Sequence, residues 1–330
     1  MIRVAINGFG RIGRMSFRAM MYHADIDVVA VNDLTDVDTL AHLLQYDSVQ
    51  GKIKEKVLVE SGAIRCGKHL MRIFAEKDPS SLPWKDLNID VVIESTGFFL
   101  DKQSAGKHIQ AGARKVIISA PAKEDVTTVV VGVNDHLLNA SETIVSNASC
   151  TTNCAAPMIK VLDDAFGVEW GLLSTVHAYT GDQRLVDAPH KDLRRTRAAA
   201  LSIIPTSTGA AKAVTLILPH LKGKLDGMAF RVPVPSGSMT DLTIQLKKQA
   251  SVDAVNEAFH KASVYGALKG VLEYCTDPIV SSDIVGSTYS CIYDAALTMV
   301  MGNTVKLIGW YDNEAGYSAR IADLTRIMGN

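Results

Sequence analysis

The stretch Ile2-Arg3-Val4-Ala5-Ile6-Asn7-Gly8-Phe9-Gly10-Arg11-Ile12-Gly13 decides how the first half of the chain folds. A β-branched run ends in Gly8, and Gly8-Phe9-Gly10-Arg11-Ile12-Gly13 matches G-x-G-x-x-G. Helical spacing of apolar residues then runs over Ile12–His23. Strand, glycine turn and helix in that order are the context that makes the motif a dinucleotide signature. A second strand is expected over Val28–Asn32, and Asp33 at its end lies 20 residues beyond Gly13. An acid in that place can take both hydroxyls of an adenosine ribose. The pyrophosphate would sit on the free N–H groups and positive dipole end of the helix. A carboxylate at Asp33 repels a 2′-phosphate, and Leu34 and Thr35 supply no arginine to receive one, so NAD is expected rather than NADP.

Further strands are expected over Val91–Glu94, Val116–Ser119, Val129–Val131 and Ile144–Ser146. This rhythm predicts an α/β, doubly wound parallel sheet of the Rossmann type over residues 1–149. Its continuous apolar strands suit a sheet covered on both faces. The second half reads as an α+β catalytic domain over 150–314, built on a mixed or antiparallel sheet. Its expected strands are Gly171–Tyr179, Met228–Val234, Thr240–Leu246 and Thr304–Tyr311. Its expected helices are Ala155–Phe166, Gly209–Leu218 and Val252–Ala267. A last helix, 315–330, is expected to join the first domain. The Arg-rich segment Thr180–Ile204 is long for a structureless loop, which marks it as functional or packed on a partner.

Bulk properties exclude several classes. The chain has 330 residues, 47 % hydrophobic and 21 % charged, as in an ordinary globular protein of two domains. Lys plus Arg (34) nearly balance Asp plus Glu (35), so there is no general drive towards nucleic acid or anionic lipid. No apolar run is long enough to span a bilayer. Met1 leads directly into a strand with no leader-like segment, so a cytoplasmic location is expected. Five cysteines, an odd number, argue against a disulfide framework, and no zinc-site spacing is present.

Ala148-Ser149-Cys150-Thr151-Thr152-Asn153-Cys154 is the second informative stretch. Helix-capping residue types precede a helical run, which places Cys150 at or just before a helix N-terminus, where a thiol loses its proton more readily. His177, at the end of an expected strand, is the candidate partner that accepts the proton and forms an ion pair. Cys154, one turn on, reads as packing, as do Cys66, Cys275 and Cys291; the other eight histidines read as structural.

Four motifs together carry a family resemblance: Ile-Asn-Gly-Phe-Gly-Arg-Ile-Gly-Arg at 6–14, Ala-Ser-Cys-Thr-Thr-Asn-Cys at 148–154, Thr-Gly-Ala-Ala-Lys-Ala at 208–213 and Trp-Tyr-Asp-Asn-Glu-x-Gly-Tyr at 310–317. The chain resembles, along its full length, the NAD-dependent phosphorylating glyceraldehyde-3-phosphate dehydrogenases of bacterial type. The resemblance implies that Cys150 attacks the aldehyde of glyceraldehyde 3-phosphate, with His177 as acid and base. A thiohemiacetal then gives up hydride to NAD, and inorganic phosphate cleaves the resulting thioester to 1,3-bisphosphoglycerate. It implies one phosphate site at Thr180 and Arg231 and a second at Ser149, Thr151, Arg195, Thr208 and Gly209. It assigns the nicotinamide carboxamide to Asn313, the ring's surroundings to Tyr317, and other cofactor contacts to Gly8, Gly10, Arg11, Ile12, Gly13, Asp33, Lys77 and Ser119. Leu34 and Pro189 match positions that accompany NAD preference. It further implies a homotetramer in which the long loop meets a neighbouring subunit. No metal, membrane or dedicated nucleic-acid partner is implied.

Two departures stand out: Ser236-Gly237 replaces Asn and a β-branched residue common in the family, and Ala315 replaces a frequent Trp or Thr. A hydrolytic erythrose-4-phosphate dehydrogenase is an alternative that Leu-Arg-Arg-Thr-Arg at 193–197 would also suit, while Thr208-Gly209 favours the phosphorylating branch. A non-catalytic NAD- or RNA-binding protein on the same fold is a third reading, opposed by Cys150, His177 and both anion sites.

Overall fold

A computed structural model describes residues 1–123 and 125–329. The chain packs as two units. The first holds Met1–Val129, Leu137–Ala148 and the chain from Ser318; the second holds Val130–His136 and Ser149–Tyr317.

In the first unit the order is β1 (Ile2–Asn7), α1 (Arg11–Met20), β2 (Ile26–Asn32), α2 (Val37–Gln45), β3 (Val57–Glu60), β4 (Ala63–Cys66), β5 (His69–Phe74), β6 (Val91–Glu94), α3 (Lys102–Gln110), β7 (Lys115–Ile118), β8 (Thr127–Thr128) and β9 (Ile144–Ser146). Among the described residues these strands form a nine-stranded sheet ordered β3-β4-β5-β2-β1-β6-β7-β9-β8. From β5 to β8 every pairing is parallel, as the β-α-β rhythm predicts. β3 and β4 add an antiparallel arm at one edge that periodicity does not announce.

The expected strand Val129–Val131 is not formed; the strand is the shorter β8 just before it. Val130 N–H donates to the Asn134 side chain at 2.8 Å, and Gly132 adopts φ +82, so a turn takes the backbone groups that a strand needs. The helix expected to reach Ala267 stops earlier for a similar reason, since Gly266 has φ +81.

The three central strands β1, β2 and β6 are tied at their C-terminal ends by a buried polar chain. Trp84 Nε1–H donates to His108 Nδ1 at 3.0 Å. An indole can only donate, so Nδ1 accepts and the His108 proton sits on Nε2, facing Glu94 Oε2 at 3.0 Å. Asn7 Nδ2 donates to the same carboxylate oxygen at 2.6 Å, and Asn32 Nδ2 donates to Asn7 Oδ1 at 2.7 Å. Asn32 closes the chain by pairing with both backbone groups of Glu76. Each member from Trp84 to Asn32 is at most 5 % exposed, so each unmet partner would leave a dry polar group.

The second unit contains α4 (Cys150–Phe166), β10 (Val168–Ala178), β11 (Ile204–Ser207), α5 (Ala210–Ile217), β12 (Leu225–Val232), β13 (Ser238–Leu246), α6 (Val252–Val264), β14 (Leu272–Cys275), β15 (Cys291–Asp294), β16 (Met299–Met301), β17 (Thr304–Tyr311) and the start of α7 (Ala315–Gly329). Its sheet runs β11-β12-β10-β13-β17-β15-β14, with β16 on β17. The sheet is mixed: β10–β12 and β14–β15 are parallel and the rest antiparallel. Strand β13 alternates buried and half-buried residues along its whole length, the pattern of a sheet with one covered face. From Ser318, α7 belongs to the first unit, where Arg326 pairs with Asp25 at 2.7 Å.

Replacing Trp84 with Phe keeps most of the buried ring but strands His108 Nδ1. The expected loss is about 1–3 kcal/mol of stability, read from the urea midpoint, with an unchanged far-ultraviolet spectrum.

Candidate active site

The glycine turn of the first unit is built for close approach. Gly8 has φ +89, and a Cβ there would lie 2.8 Å from the Ser95 carbonyl carbon. A Cβ on Gly13 would lie 2.1 Å from Gly8 O. Gly10 differs: a Cβ there would meet nothing within 4 Å among the described residues, so the space above it is open. Gly10 is also the N-cap of α1, with no capping side chain and no acid in the first turn. The first turn of α1, which holds Arg11 and Ile12, thus starts beside open space at the positive end of the helix.

Asp33 belongs to the same assembly. Its Oδ2 accepts Phe9 N–H at 2.7 Å and its Oδ1 accepts Thr35 N–H at 2.9 Å, which fixes the carboxylate beside the turn. A clear cradle at a helix N-terminus and a fixed acid fit the pyrophosphate and ribose of NAD. The Arg11 side chain turns to Asp47 in a two-pronged pair at 2.9 and 3.2 Å, so its charge is engaged by the protein. Ser119 directly follows β7, its N–H held by Glu94 O at 2.9 Å. Lys77 is exposed beyond β5.

The reactive groups gather in the second unit. Ser149 caps α4, accepting Thr152 N–H at 3.1 Å, and Cys150 is the first helical residue. The helix thus starts earlier than expected, because Thr151, Thr152 and Asn153 continue it rather than form a loop. Pro157, inside it, lacks the N–H that would have bonded Asn153 O. His177 lies at the end of β10, in register with Arg231 on the parallel β12.

Cys150 Sγ is 3.4 Å from His177 Nε2. His177 Nδ1 is 2.7 Å from Ala178 O, an oxygen that can only accept, so the ring proton sits on Nδ1 and Nε2 is the acceptor for the thiol. Arg231 Nη1, 2.9 Å from the same Nδ1, donates instead to Ala178 O at 3.0 Å and Thr180 Oγ1 at 3.1 Å.

Cys150 keeps a partial opening to solvent, but the groups packed round its sulfur push its thiol up to about 11. The Arg231 cation and hydrogen bonds from Thr151 pull the other way. Burial, and then Arg231, push His177 down to about 3. The ion pair expected from the sequence is therefore opposed by desolvation of each partner. A proton passed from Sγ to Nε2 leaves the pair's net charge at zero, and the α4 N-terminus then faces the thiolate.

Around this pair lies an anion-seeking set. Arg231 Nε is buried and has no partner among the described residues, as does Gln183 Nε2. Gln183 Oε1 accepts Thr180 N–H at 3.3 Å, and the Thr180 hydroxyl donates to Asp182. Arg195 binds Asp182 at 2.7 Å and donates to Thr206 at 2.9 Å, so its charge is engaged by protein groups. Thr208 and Gly209 stand at the start of α5, where the Thr208 hydroxyl accepts Ala210 N–H at 3.2 Å, with no bond to the Cys150 cluster among the described residues. The hydroxyl of Ser149 serves the helix cap. That of Thr151 is 2.9 Å from Tyr311, so neither faces outward.

That Tyr311 contact starts a directional chain. Thr175 donates to Met239 O at 3.1 Å, so Tyr311 donates to Thr175 at 2.8 Å and Thr151 donates to Tyr311. Asp182 and Gln183 carry no motif of their own, and Tyr311, though inside the 310–317 motif, is assigned no role by it; their placement in space marks them. Cys154 is fully buried, with Sγ 3.6 Å from Gly309 O. Asn313 Oδ1 accepts the Ser238 hydroxyl at 3.0 Å, and Tyr317 stands in the first turns of α7.

Two family models match the chain. One, the glyceraldehyde 3-phosphate dehydrogenase NAD binding domain, covers residues 2–102, and the C-terminal domain of the same enzyme covers residues 149–313. The chain belongs to the glyceraldehyde 3-phosphate dehydrogenase family. It is 57 % identical to glyceraldehyde-3-phosphate dehydrogenase 2 of Streptomyces avermitilis over 332 residues, covering 100 % of this chain and 99 % of the relative. It is likewise 57 % identical to a Streptomyces coelicolor relative over 332 residues, with coverage of 100 % and 99 %. A Mycobacterium avium relative is 56 % identical over 335 residues, with coverage of 99 % and 98 %. Both carry the name glyceraldehyde-3-phosphate dehydrogenase.

Within this family the Ser236-Gly237 departure has a local cause. Gly237 has φ +86, and a Cβ there would lie 2.2 Å from Ser281 O, so the β-branched residue common elsewhere does not fit. Ala315 donates its N–H to Asp312 Oδ1 at 2.9 Å, a contact that does not depend on its side chain.

Arg231→Gln removes a cation that favours both thiolate and neutral imidazole. The pH profile of Cys150 alkylation by iodoacetamide should move to higher pH, with slower alkylation at pH 7. An unmoved profile would show that Arg231 does not act on the sulfur.

Proposed function

We propose that this chain converts glyceraldehyde 3-phosphate, NAD and inorganic phosphate to 1,3-bisphosphoglycerate through a thioester on Cys150. The observation that carries the reading is a helix-N-terminal sulfur 3.4 Å from a histidine nitrogen whose lone pair faces it. Sγ adds to the aldehyde carbon as its proton passes to Nε2, and Nε2 returns that proton to the aldehyde oxygen, giving a thiohemiacetal hydroxyl on the substrate and a neutral His177. His177 then takes the hydroxyl proton as hydride leaves the same carbon. NAD, when bound, supplies the hydride acceptor. Attack by inorganic phosphate on the thioester expels the sulfur and releases the acyl phosphate.

The charged groups divide the anions. Arg231, with Thr180, suits the substrate phosphate, because its buried Nε still lacks a partner. Arg195, Thr208 and Gly209, with the first-turn amides at Ser149 and Thr151, suit the attacking phosphate. An anion there must compete with Asp182 for Arg195. The adenosine half falls to Gly8, Gly10, Arg11, Ile12, Gly13 and Asp33, with Lys77 and Ser119 beside them, and the nicotinamide carboxamide to Asn313, near Tyr317.

A homotetramer is also proposed. Leu185, Val186, Leu193, Leu201 and Ile203 in the long loop stand 69–88 % exposed in the single chain. Trp170, Leu172 and Met228 on the sheet are roughly half exposed. Apolar patches of this kind mark protein interfaces. No helix among the described residues is long and apolar enough to cross a membrane, and a cytoplasmic enzyme is the proposed setting.

NADH formation from glyceraldehyde 3-phosphate should need inorganic phosphate for sustained turnover. Turnover that persists without phosphate would favour the hydrolytic alternative. His177→Asn should lower kcat by about 10²–10⁴-fold with intact NAD binding.

A further inference from the structure

Ser238, the first residue of β13, is 1 % exposed and joins two parts of the proposed site. Its Oγ accepts the N–H of Ala178, the residue after His177, at 3.1 Å. With that lone pair engaged, the hydroxyl proton points at Asn313 Oδ1, 3.0 Å away. No other acceptor for it exists among the described residues. Asn313 must therefore turn its oxygen inward, which leaves Nδ2 outward with no protein partner among the described residues.

The flanking residues fix the chain around the amide without setting its orientation. Ser236 Oγ lies 3.5 Å from Asn313 Oδ1, and its own proton goes to Asp312 Oδ1 at 3.2 Å. Asp312 is fixed in turn: Oδ1 takes the N–H groups of Glu314 and Ala315 at 2.8 and 2.9 Å, and Oδ2 takes Gly286 N–H at 2.7 Å. The Asn313 backbone is thus clamped on both sides, while its amide can still rotate about the last side-chain bond. With the Ser236 proton on Asp312, the Ser238 hydroxyl at 3.0 Å is the donor that selects between the two amide orientations among the described residues.

We infer that Ser238 is a positioning residue that holds the Asn313 amide with its N–H groups outward, ready to donate to the carboxamide oxygen of the nicotinamide ring. It acts through Asn313 and touches no ligand itself. The inference rests on the reading of Asn313 as the carboxamide partner. A flipped amide would present oxygen to oxygen and repel that group. The same hydroxyl ties the orientation to the β10 end that carries His177, so the donor and the proton acceptor share one anchor.

The test compares equilibrium binding of NAD and of ADP-ribose, which lacks the nicotinamide, by titration calorimetry. Ser238→Ala should weaken NAD about five- to tenfold, the worth of roughly one hydrogen bond, and leave ADP-ribose within about twofold. Ser238→Cys, a weak donor of similar size, should fall between wild type and Ser238→Ala, and serves if the alanine variant does not fold. Asn313→Ala should likewise weaken NAD selectively. If Asn313→Ala is selective but Ser238→Ala binds NAD as wild type does, the Ser238 link is overturned while the Asn313 reading stands. Equal weakening of both ligands by Ser238→Ala would assign Ser238 a merely structural part and also overturn it. If Asn313→Ala weakens neither ligand selectively, the Asn313 reading fails and takes the proposal with it.

Discussion

A sulfur and an imidazole nitrogen, 3.4 Å apart, are held there by two elements with nothing in common but their ends. The sulfur stands on the first residue of a helix and the imidazole near the last residue of a strand. Helix α4 supplies amides and a dipole. Strand β10 supplies a rigid rail, and its neighbour β12 places Arg231 level with the histidine. The backbone carbonyl of Ala178 holds the Nδ1 proton, so the reactive nitrogen needs no carboxylate to fix its tautomer. Around the pair, the second unit is arranged to keep these few atoms still: Tyr311 and two threonines brace the helix start, and Ser238 braces the strand end.

Burial and charge are in deliberate tension at this site. Solvent exclusion favours an uncharged thiol and an uncharged imidazole, while Arg231 and the helix end favour the thiolate. Moving one proton within the pair resolves this without creating net charge. Arg231, half-buried and with a buried Nε that has no partner among the described residues, makes the same site receptive to an anion. In the proposed function, chemistry and substrate recognition both rest on this one cation. In the first unit the comparable economy lies in the strand ends: Asn7, Asn32 and Glu94 join the three central strands just below the Gly8 turn and Asp33.

Local signals were the most legible ones. The glycine fingerprint, the parallel β-α-β core and Asp33 could all be read, because each depends on residues near one another in sequence. The same holds for the cysteine before a helix. Its start was missed by several residues because Thr151, Thr152 and Asn153 have loop-forming side chains, yet Ser149 caps the helix ahead of them. The antiparallel arm of β3 and β4 escaped because its strands are short and half exposed, joined by a turn with positive φ at Ser61 and Gly62. Asp182 and Gln183 carry no sequence signal, and Tyr311 lies in the 310–317 motif without a legible role, since its partners Thr151 and Thr175 are distant in the chain. Ser236-Gly237 registered only as a departure; its reason, the approach of Ser281 O, exists only in space.

The parallel pairing of β10 with β12 has an evolutionary corollary. His177 and Arg231 face the same way because their strands are aligned residue for residue over eight positions, from Gly171 with Leu225 to Ala178 with Val232. Side chains alternate sides along a strand, so gaining or losing a single residue within either would turn one of the two groups to the opposite face. These two octets can therefore change by substitution but not by gain or loss of one residue without separating the two groups. Reading-frame-preserving insertions there should be selected against, since one extra residue would part the histidine from its cation.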